Sequence, residues 1–378
     1  MKYNLLAIFC FSLLATWAHA QTPPPARQPP PKDDIVVRKN AWTVGLISGQ
    51  IEGLYPRFAA EIQRVLDDKD EMRVMPILAY GAASNIEDLL YTKGVDVAFT
   101  QSDVLLYFKT IRSIPNIADR IHFIASLYST EFHVLARADI KTMQDLKGKN
   151  VSFGPPGNSA SVTGPIVFDR LKIPVKANFL DHTTGLEKMK TGEIDAVVRV
   201  IGKPHDYFTK LPPGTGFHLL SIPYDDASRR IFDDIYSLGE LAHADYPDLI
   251  PDGQVVDTIS VPTVLAVYNW PANTDRYRRV ARFTTYFYDR FDRFLAPGFH
   301  PKWKEVNLSA PVPGWTRFAV AEQMLGKLKE RAPRPQTELR QDFNAFLASR
   351  GISGDRTGAD PLFNEFLSWK QKTGATAQ

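Results

Sequence analysis

Three short polar loops and one arginine are the residues of this chain that could bind a small anion. The loops are Ser48–Gln50, Gln101–Asp103 and Gly157–Ser161, and each follows a short apolar run. Their serine, asparagine and glutamine side chains offer hydrogen bonds without charge. Arg199 ends a fourth apolar run, where its guanidinium would either pair with a local carboxylate or clamp a ligand carboxylate through two parallel hydrogen bonds. Each residue alone is also typical of a cap or a turn, but together they predict a site for a small polar ligand.

Common catalytic signatures are absent from the same sequence. The segment Gly157–Ser161 has no closing glycine, so it is not a nucleophile elbow. The sequence contains neither a Walker phosphate-binding loop nor a glycine-rich dinucleotide fingerprint after the first strand. The eight histidines are scattered without metal-binding spacing, and we interpret His133 and His182 as ordinary hydrogen-bonded residues. We therefore predict that the protein is not an enzyme and has no catalytic residue, no cofactor and no metal site.

Alternating strands and helices must position the loops in the first part of the chain. Apolar residues recur every four positions from Leu54 to Leu66, which indicates a helix. Ser84–Glu87 has the pattern of a capping box and predicts the start of a second helix. The predicted strands around these helices are 42–47, 74–78 and 95–100. This order predicts a parallel sheet, and ligands bind beyond the carboxyl ends of such strands, where the polar loops lie.

The middle of the chain contains a second unit of the same kind. The run 121–136 is mostly apolar and long enough for strands that cross between two units. Thr142–Asp145 is another capping box. Because proline fits only in the first turn of a helix, Pro165 predicts that the helix near 166–171 begins late or irregularly. Further predicted elements are a short helix at 186–190 and strands at 151–153, 194–200 and 260–268.

Two passages repeat one pattern of short helix, glycine, apolar residue, aspartate and strand. They run from Asn85 to Thr100 and from Gly185 to Arg199. Four residues after each aspartate come Thr100 and Arg199. Many helix-to-strand turns look alike, but this repetition of the pattern favours two similar α/β lobes.

The longest predicted helix carries an apolar stripe from Val280 to Phe294, with arginines mostly on its other faces. Such a helix could lie on an anionic membrane surface. We favour a helix packed on the core, whose charged face contacts solvent.

The first twenty residues have the pattern of an export signal. Lys2 precedes an apolar run from Leu5 to Ala18, and Ala18 and Ala20 form a cleavage signal. The run is shorter than the ~20 residues that span a bilayer. We therefore expect export, most simply to a bacterial periplasm, and cleavage after Ala20. The following stretch to Lys39 is rich in proline and predicts an extended polyproline II tether.

Composition excludes several other classes of protein. The chain has 378 residues, of which 44% are hydrophobic and 23% charged, so it is an ordinary globular sequence. A formal net charge of +3 is too small to indicate a nucleic-acid partner. The single cysteine, Cys10, lies in the export signal, which excludes an internal disulfide and a zinc–thiolate cluster.

These motifs together resemble the TAXI family, the solute receptors of tripartite ATP-independent periplasmic (TRAP) transporters. The resemblance covers about residues 42–320. It is carried by the glycine–proline block Gly154–Gly157 with the residues around it, by Gln101–Asp103, by Tyr55 before a proline, and by Ser126–Tyr128 followed by a glutamate and a histidine. Two departures lie near the expected cleft: the stretch before Tyr55 is poorer in glycine, and Arg199 interrupts a strand that is usually apolar.

The resemblance implies an α/β type 2 periplasmic-binding-protein fold, with two lobes joined by crossing strands around a ligand cleft. It implies a small carboxylate ligand (glutamate, glutamine or a 2-oxo dicarboxylate) and an integral-membrane TRAP permease as partner. We also expect a monomer that does not bind nucleic acid. The expected segments are a signal peptide at 1–20, a tether at 21–39, lobe I at 40–136 plus 262–326, lobe II at 137–261, and a C-terminal extension at 327–378. The candidate ligand-binding residues are Ser48, Tyr55, Gln101, Ser102, Gly157, Asn158, Ser159, Ser161 and Arg199.

Three alternatives share this fold and stay open from the sequence. The chain could be the binding protein of an ATP-driven importer, a ligand sensor, or an enzyme built on the same framework. Arg199 and Lys203 are expected to make the lobe II wall of the cleft cationic.

Overall fold

The computed structural model describes residues 34–331 apart from 70, 213 and 223–224, together with residues 343 and 363. The predicted signal peptide, tether residues 21–33 and nearly all of the C-terminal extension beyond 331 lie outside this part of the chain. Among the described helices, none combines the length and the apolar character needed to cross a membrane.

The described residues 34–41 belong to one compact unit, and the body of the chain from Trp42 belongs to another. Helix α1 spans Asp34–Ala41 in the first of these units. The predicted extended tether included residues up to Lys39. The structure shows that its residues 34–39 are helical instead. This stretch contains no proline to block helical hydrogen bonds, and Arg38 and Lys39 in its last turn complement the helix dipole.

The described part of the body is built on a ten-stranded sheet, with the order β2-β1-β3-β10-β4-β7-β5-β6 along its main path. Its strands are β1 Thr43–Ile47, β2 Arg73–Ile77, β3 Val97–Gln101, β4 Ile121–Ala136, β5 Asn150–Ser152, β6 Lys176–Asn178, β7 Ala196–Ile201, β8 His218–Leu219, β9 Ser237–Ala242 and β10 Val255–Tyr268. Strand β1 pairs in parallel with β2 and β3, which confirms the parallel arrangement predicted for the first part of the chain.

Strands β4 and β10 cross between two α/β lobes. Strand β4 pairs with β10 from Ile121 to Glu131 and with β7 from Glu131 to Ala136. Strand β10 pairs with β9 in its first half and with β3 in its second. The predicted crossing strand at 121–136 is thus confirmed, and the strand predicted at 260–268 extends further, from Val255. Both strands are mostly buried along their length, because each lies at the centre of the sheet.

Helices cover the sheet. In chain order after α1 they are α2 Leu54–Leu66, α3 Ala82–Tyr91, α4 Val104–Thr110, α5 Ile117–Arg120, α6 Ser159–Arg170, α7 His182–Lys190, α8 Asp206–Thr209, α9 Asp226–Phe232, α10 Asp275–Asp289 and α11 Ala319–Arg331. Short 3₁₀ helices span Met143–Leu146, Phe291–Leu295 and Pro301–Glu305. The first of these has the predicted capping box, with Thr142 and Asp145 bonded reciprocally.

Two helix starts differ from the prediction. Helix α3 begins at Ala82, two residues before the predicted capping box, because Gly81 at φ 103° turns the chain into the helix. Helix α6 begins at Ser159 and contains Pro165 in its interior. Asn158 caps it early by accepting a hydrogen bond from the Ser161 N–H at 2.8 Å. The residue before Pro165 is Gly164, which has no Cβ to clash with the proline ring.

The apolar stripe of the longest helix lies in the core. Val280, Phe283 and Phe287 of α10 are fully buried, which supports the packed helix rather than a membrane-surface helix. Beyond the helix end, Phe294 stacks on Trp303 with ring centroids 4.1 Å apart. Burial of each such side chain contributes about 1.5–3 kcal/mol to the free energy of unfolding, so this cluster anchors the first lobe.

Candidate functional site

A pocket that is partly open to solvent lies between the two lobes. Lobe I contributes residues 49–50 and 52–55 after β1 and residues 80–81 before α3. Lobe II contributes residues 158–160 at the start of α6, His182, and residues 199–202 at the end of β7. Strands β1 and β7 therefore meet the pocket at their carboxyl ends, as expected for an α/β sheet.

Arg199 is a buried cation at the wall of this pocket. Its side chain is 7% exposed and lies on β7, where its backbone neighbour across the sheet is His133 of β4. The guanidinium carbon lies 4.6 Å from the centre of the Tyr207 ring, a cation–π contact. No described residue forms an ion pair or hydrogen bond with the Arg199 side chain. Burial lowers the pKa of Arg199 to about 10, so the group is still charged at neutral pH.

The N-terminus of helix α6 faces the same pocket. Asn158, Ser159 and Ala160 line it, and the first N–H groups of a helix have no acceptor within the helix. The helix dipole adds partial positive charge at this end. Together with Arg199, the start of α6 makes the lobe II wall suitable for a carboxylate.

Tyr55 of lobe I lies next to this lobe II wall. Its ring stacks on Phe99, with centroids 5.3 Å apart, and its hydroxyl donates to the Thr100 carbonyl at 3.3 Å. Burial raises the pKa of Tyr55 well above its usual value, although hydrogen bonds with Ser159 and Thr263 oppose the shift. The hydroxyl is therefore neutral at all ordinary pH values and lies within reach of Ser159 on the opposite lobe.

The other predicted site residues lie behind the pocket lining. The Ser48 hydroxyl donates to the Ile77 carbonyl at 2.8 Å, and the Ser161 hydroxyl donates to the Asn158 carbonyl at 3.0 Å. Gln101 is fully buried, with its amide between Thr130 and Thr163 at 3.4 Å from each hydroxyl. The hydrogen bonds of these side chains are made with one another or with the backbone, so these residues hold the loops in place.

Ser102 and Gly157 also lie outside the lining. The Ser102 carbonyl accepts a hydrogen bond from the Trp315 indole N–H at 2.7 Å. Gly157 adopts φ 80°, and its carbonyl accepts from the Ser84 N–H of lobe I at 3.2 Å. A Cβ at Gly157 would overlap the Ser84 hydroxyl, which explains why only glycine fits this contact between the lobes.

In the described part of the chain, the expected cationic wall contains one arginine and no free lysine. The Lys203 ammonium pairs with Asp245 at 2.9 Å and donates to the Glu240 carbonyl at 2.6 Å. It is therefore neutralised within lobe II and does not line the pocket. The prediction was wrong for Lys203, because the sequence does not show that Asp245, 42 residues further on, folds back beside it.

The two histidines interpreted from the sequence behave differently. His133 is fully buried, with Nδ1 donating to the Glu131 carbonyl and Nε2 accepting from the Tyr246 hydroxyl, both at 2.9 Å. This confirms an ordinary structural histidine, and burial lowers its pKa to about 3. His182 lines the pocket instead, with Nε2 accepting from the Asn158 amide at 3.3 Å. Burial also lowers the pKa of His182 to about 3, so its ring is neutral.

Sequence reasoning missed several other lining residues, among them Glu52, Tyr80 and Thr130. Glu52 and Tyr80 lie in loops after strands, so loop position was an available signal. Thr130 lies within β4, and no loop pattern indicates it.

Hydrogen bonds close the cleft at several points. The His205 Nε2–H of lobe II donates to the Glu52 carbonyl of lobe I at 3.0 Å. Asp103 of lobe I accepts from the Thr163 hydroxyl at 2.7 Å and from the Tyr236 hydroxyl at 2.9 Å, both in lobe II. The structure therefore shows the lobes in contact around the pocket. No group of three or more His, Cys, Asp or Glu side chains in the described part of the chain is arranged to hold a metal ion.

Two lobes joined by crossing strands, with a pocket at the strand ends between them, define the type 2 periplasmic-binding-protein fold. The chain belongs to the NMT1-like family, whose model matches residues 53–308. The narrower TAXI assignment stays a prediction.

Similar solved structures are distant in sequence. A protein from Bordetella bronchiseptica RB50 is 14% identical with a TM-score of 0.44, covering 76% of this chain and 81% of its own. An amino acid ABC transporter substrate-binding protein from Streptococcus pneumoniae, bound to L-arginine, is 13% identical with a TM-score of 0.39, covering 73% and 99%. The BvgS periplasmic VFT2 domain of Bordetella pertussis is 12% identical with a TM-score of 0.38, covering 67% and 90%. Likenesses this distant indicate nothing about the ligand of this chain.

Proposed function

We propose that this protein is an exported solute receptor that captures a small organic carboxylate between its lobes. The observation that carries the proposal is Arg199, a buried guanidinium at the pocket without an ion-pair partner among the described residues. A buried charge is costly unless a partner compensates it. A ligand carboxylate would supply that partner, and the N-terminus of α6 would add further stabilisation.

The binding residues in this proposal are Tyr55, Asn158, Ser159 and Arg199. The remaining candidates, Ser48, Gln101, Ser102, Gly157 and Ser161, shape the loops behind them. Glutamate, glutamine and 2-oxo dicarboxylates are the starting ligand candidates. Because bonds between the lobes surround the pocket, a ligand that touches both walls would favour the closed form over an open one.

The closed receptor would deliver its ligand to a membrane permease of the TRAP type in the periplasm. The sequence resemblance and the export signal support this part of the proposal. Reconstituted uptake separates it from the ATP-driven alternative. We expect ligand uptake that needs the receptor and an ion gradient, and that continues without ATP. Uptake that stops on ATP removal would assign the protein to an ATP-driven importer instead.

Native mass spectrometry of the purified protein tests ligand capture most directly. We expect an added mass that disappears after partial unfolding and refolding and that returns when the identified carboxylate is added. Calorimetry then gives the affinity and the stoichiometry. A protein that carries no ligand and shows no thermal shift with a carboxylate panel would contradict the receptor function.

A further inference from the structure

We infer that the ligand is a zwitterion with a single carboxylate, whose ammonium group lies beside Glu52 while its carboxylate lies at Arg199. This inference rests on the proposed receptor function and names the class of ligand. It separates amino acids with uncharged side chains from dicarboxylates.

The charges of the pocket are balanced. Among the described residues that line it, Arg199 is the one cation and Glu52 the one anion. His182 is neutral because its pKa is lowered to about 3 by burial, and the remaining polar groups are amides and hydroxyls. A dicarboxylate would find one cation for its two charges and would bring its second carboxylate near Glu52. A zwitterion matches both charges of the pocket.

The two charges are also held apart. No ion pair within 4.0 Å joins Glu52 to Arg199, although the Glu52 carboxylate acts on the guanidinium at longer range and favours its charged form. The backbone of Glu52 is held against lobe II by the hydrogen bond from His205 at 3.0 Å. Glu52 is solvent-exposed and forms no ion pair with a described residue, so its carboxylate is available to a ligand that also contacts Arg199.

An aromatic ring on the lobe I side strengthens the case for a cationic group there. Tyr80 lines the pocket, and cations are attracted to the faces of such rings. Tyr80 is 61% exposed, so a large part of its side chain is free to contact a ligand. The neutral side chain of Gln50, which also lines the pocket, suits an uncharged remainder of the ligand.

Calorimetry with matched ligand pairs tests the inference. The pairs are L-glutamate with 2-oxoglutarate, L-phenylalanine with phenylpyruvate, and L-glutamine with L-glutamate. In the first two pairs only one member has an ammonium group, and in the third only one has a second carboxylate. We expect the amino acid to bind at least tenfold more tightly than its 2-oxo acid, and L-glutamine to bind more tightly than L-glutamate.

The variant Glu52→Gln should remove the preference for the ammonium group and leave the affinity for 2-oxo acids unchanged or higher. Glu71→Gln is the matched control, because Glu71 is an exposed lobe I glutamate that pairs with Arg282 outside the pocket. It should change neither affinity. A 2-oxo acid or dicarboxylate that binds as tightly as the amino acid, or a preference that survives Glu52→Gln, overturns the inference and leaves the receptor function standing.

Ligands outside the panel are covered by native mass spectrometry of the purified wild-type protein. A co-purified molecule with one ammonium and one carboxylate supports the inference, and one without an ammonium overturns it. Absence of any co-purified ligand, together with no binding of the panel, overturns the receptor function and the inference with it.

Discussion

Each lobe contains the same arrangement, which we call the aspartate device. An aspartate directly before one strand (β3 in lobe I, β7 in lobe II) exchanges two hydrogen bonds with a residue of the neighbouring parallel strand. In lobe I, Asp96 accepts from the Gly45 N–H at 3.1 Å and returns its own N–H to the Gly45 carbonyl at 2.9 Å. In lobe II, Asp195 accepts from the Asn150 N–H at 2.9 Å and returns its N–H to the Asn150 carbonyl at 2.8 Å. Each aspartate thus ties two neighbouring parallel strands together.

Four residues further along, the two lobes diverge. Thr100 is fully buried and donates its hydroxyl to the Ala82 carbonyl at 3.1 Å. Arg199 occupies the matching position and keeps its charge at the pocket. The comparison shows that one framework can carry either a structural hydrogen bond or a binding group at the same place. In our proposal, lobe II recognises the carboxylate and lobe I supplies the rest of the pocket.

Removing the charge at the lobe II position should have the largest effect. We expect Arg199→Ala to weaken carboxylate binding by roughly 1.5–3 kcal/mol, the range for hydrogen bonds to charged groups. Calorimetry with the ligand identified by mass spectrometry measures the change. Arg137→Ala is the control, because Arg137 pairs with Asp139 and Asp195 and does not line the pocket. An unchanged affinity in Arg199→Ala would remove Arg199 from the site.

Breaking the aspartate device should destabilise both lobes, and lobe I more. Asp96→Ala leaves the buried Gly45 N–H without its acceptor, and we expect a loss of about 2 kcal/mol in the free energy of unfolding. Asp195→Ala should cost less, because Asp195 is 9% exposed against 2% for Asp96, so water can reach its partner more easily. Denaturant titrations of the two variants measure the difference. Equal losses would mean that exposure at this position does not matter.

Asp103 differs from both aspartates because its hydroxyl donors come from the opposite lobe. Burial raises its pKa from 3.8 to about 6, although the hydrogen bonds from Thr163 and Tyr236 oppose the shift. The stability from this group is therefore fully present below pH 3.8 and is lost as the pH rises through about 6. We expect wild type to lose about 1 kcal/mol relative to Asp103→Asn between pH 5 and pH 7.

Thermal or denaturant unfolding at the two pH values measures this difference. Comparison with the asparagine variant cancels the titration of the other groups, including the histidines. A constant difference between the two proteins would show that Asp103 does not titrate in this range.

The smallest effect is expected at the lobe I counterpart of Arg199. Thr100→Val removes one buried hydroxyl that donates to Ala82, and we expect a loss of about 1 kcal/mol in the free energy of unfolding. Ligand affinity should stay within about twofold, because the valine leaves the Thr100 backbone carbonyl that accepts from Tyr55 in place. Paired unfolding and calorimetry experiments check both statements. A large loss of affinity would mean that the two positions are functionally alike.

The parts of the fold predicted from sequence are those that depend on local pattern. The crossing strand Ile121–Ala136 follows directly from one continuous apolar run, and the repeated pattern around the two aspartates predicted two similar lobes. Helix starts were less predictable. Gly81 and Asn158 each begin a helix earlier than the pattern of apolar or capping residues indicates. A backbone dihedral and a single side-chain hydrogen bond decide those positions, and neither is visible as periodicity.

The candidate site shows the same division. Tyr55 was predicted from the family resemblance and Arg199 from its place at the end of a strand. Asn158 and Ser159 were predicted from loop position, and all four residues line the pocket. Gln101 was predicted on the same grounds, but its amide contacts two buried threonines. Since every polar loop offers donors and acceptors, the sequence alone cannot show which of them are used within the protein.

The amino-acid sequence by itself determined the alternation of strands and helices, the two-lobe plan and the presence of a cation at the end of a lobe II strand. These features depend on residues close together in the chain, where spacing reports structure directly. Only the tertiary structure decided that Arg199 has no carboxylate partner among the described residues, that Lys203 has one, and that Glu52 lines the same pocket as Arg199. Those outcomes depend on contacts between segments 42 to 153 residues apart, which chain folding brings together and local pattern does not encode.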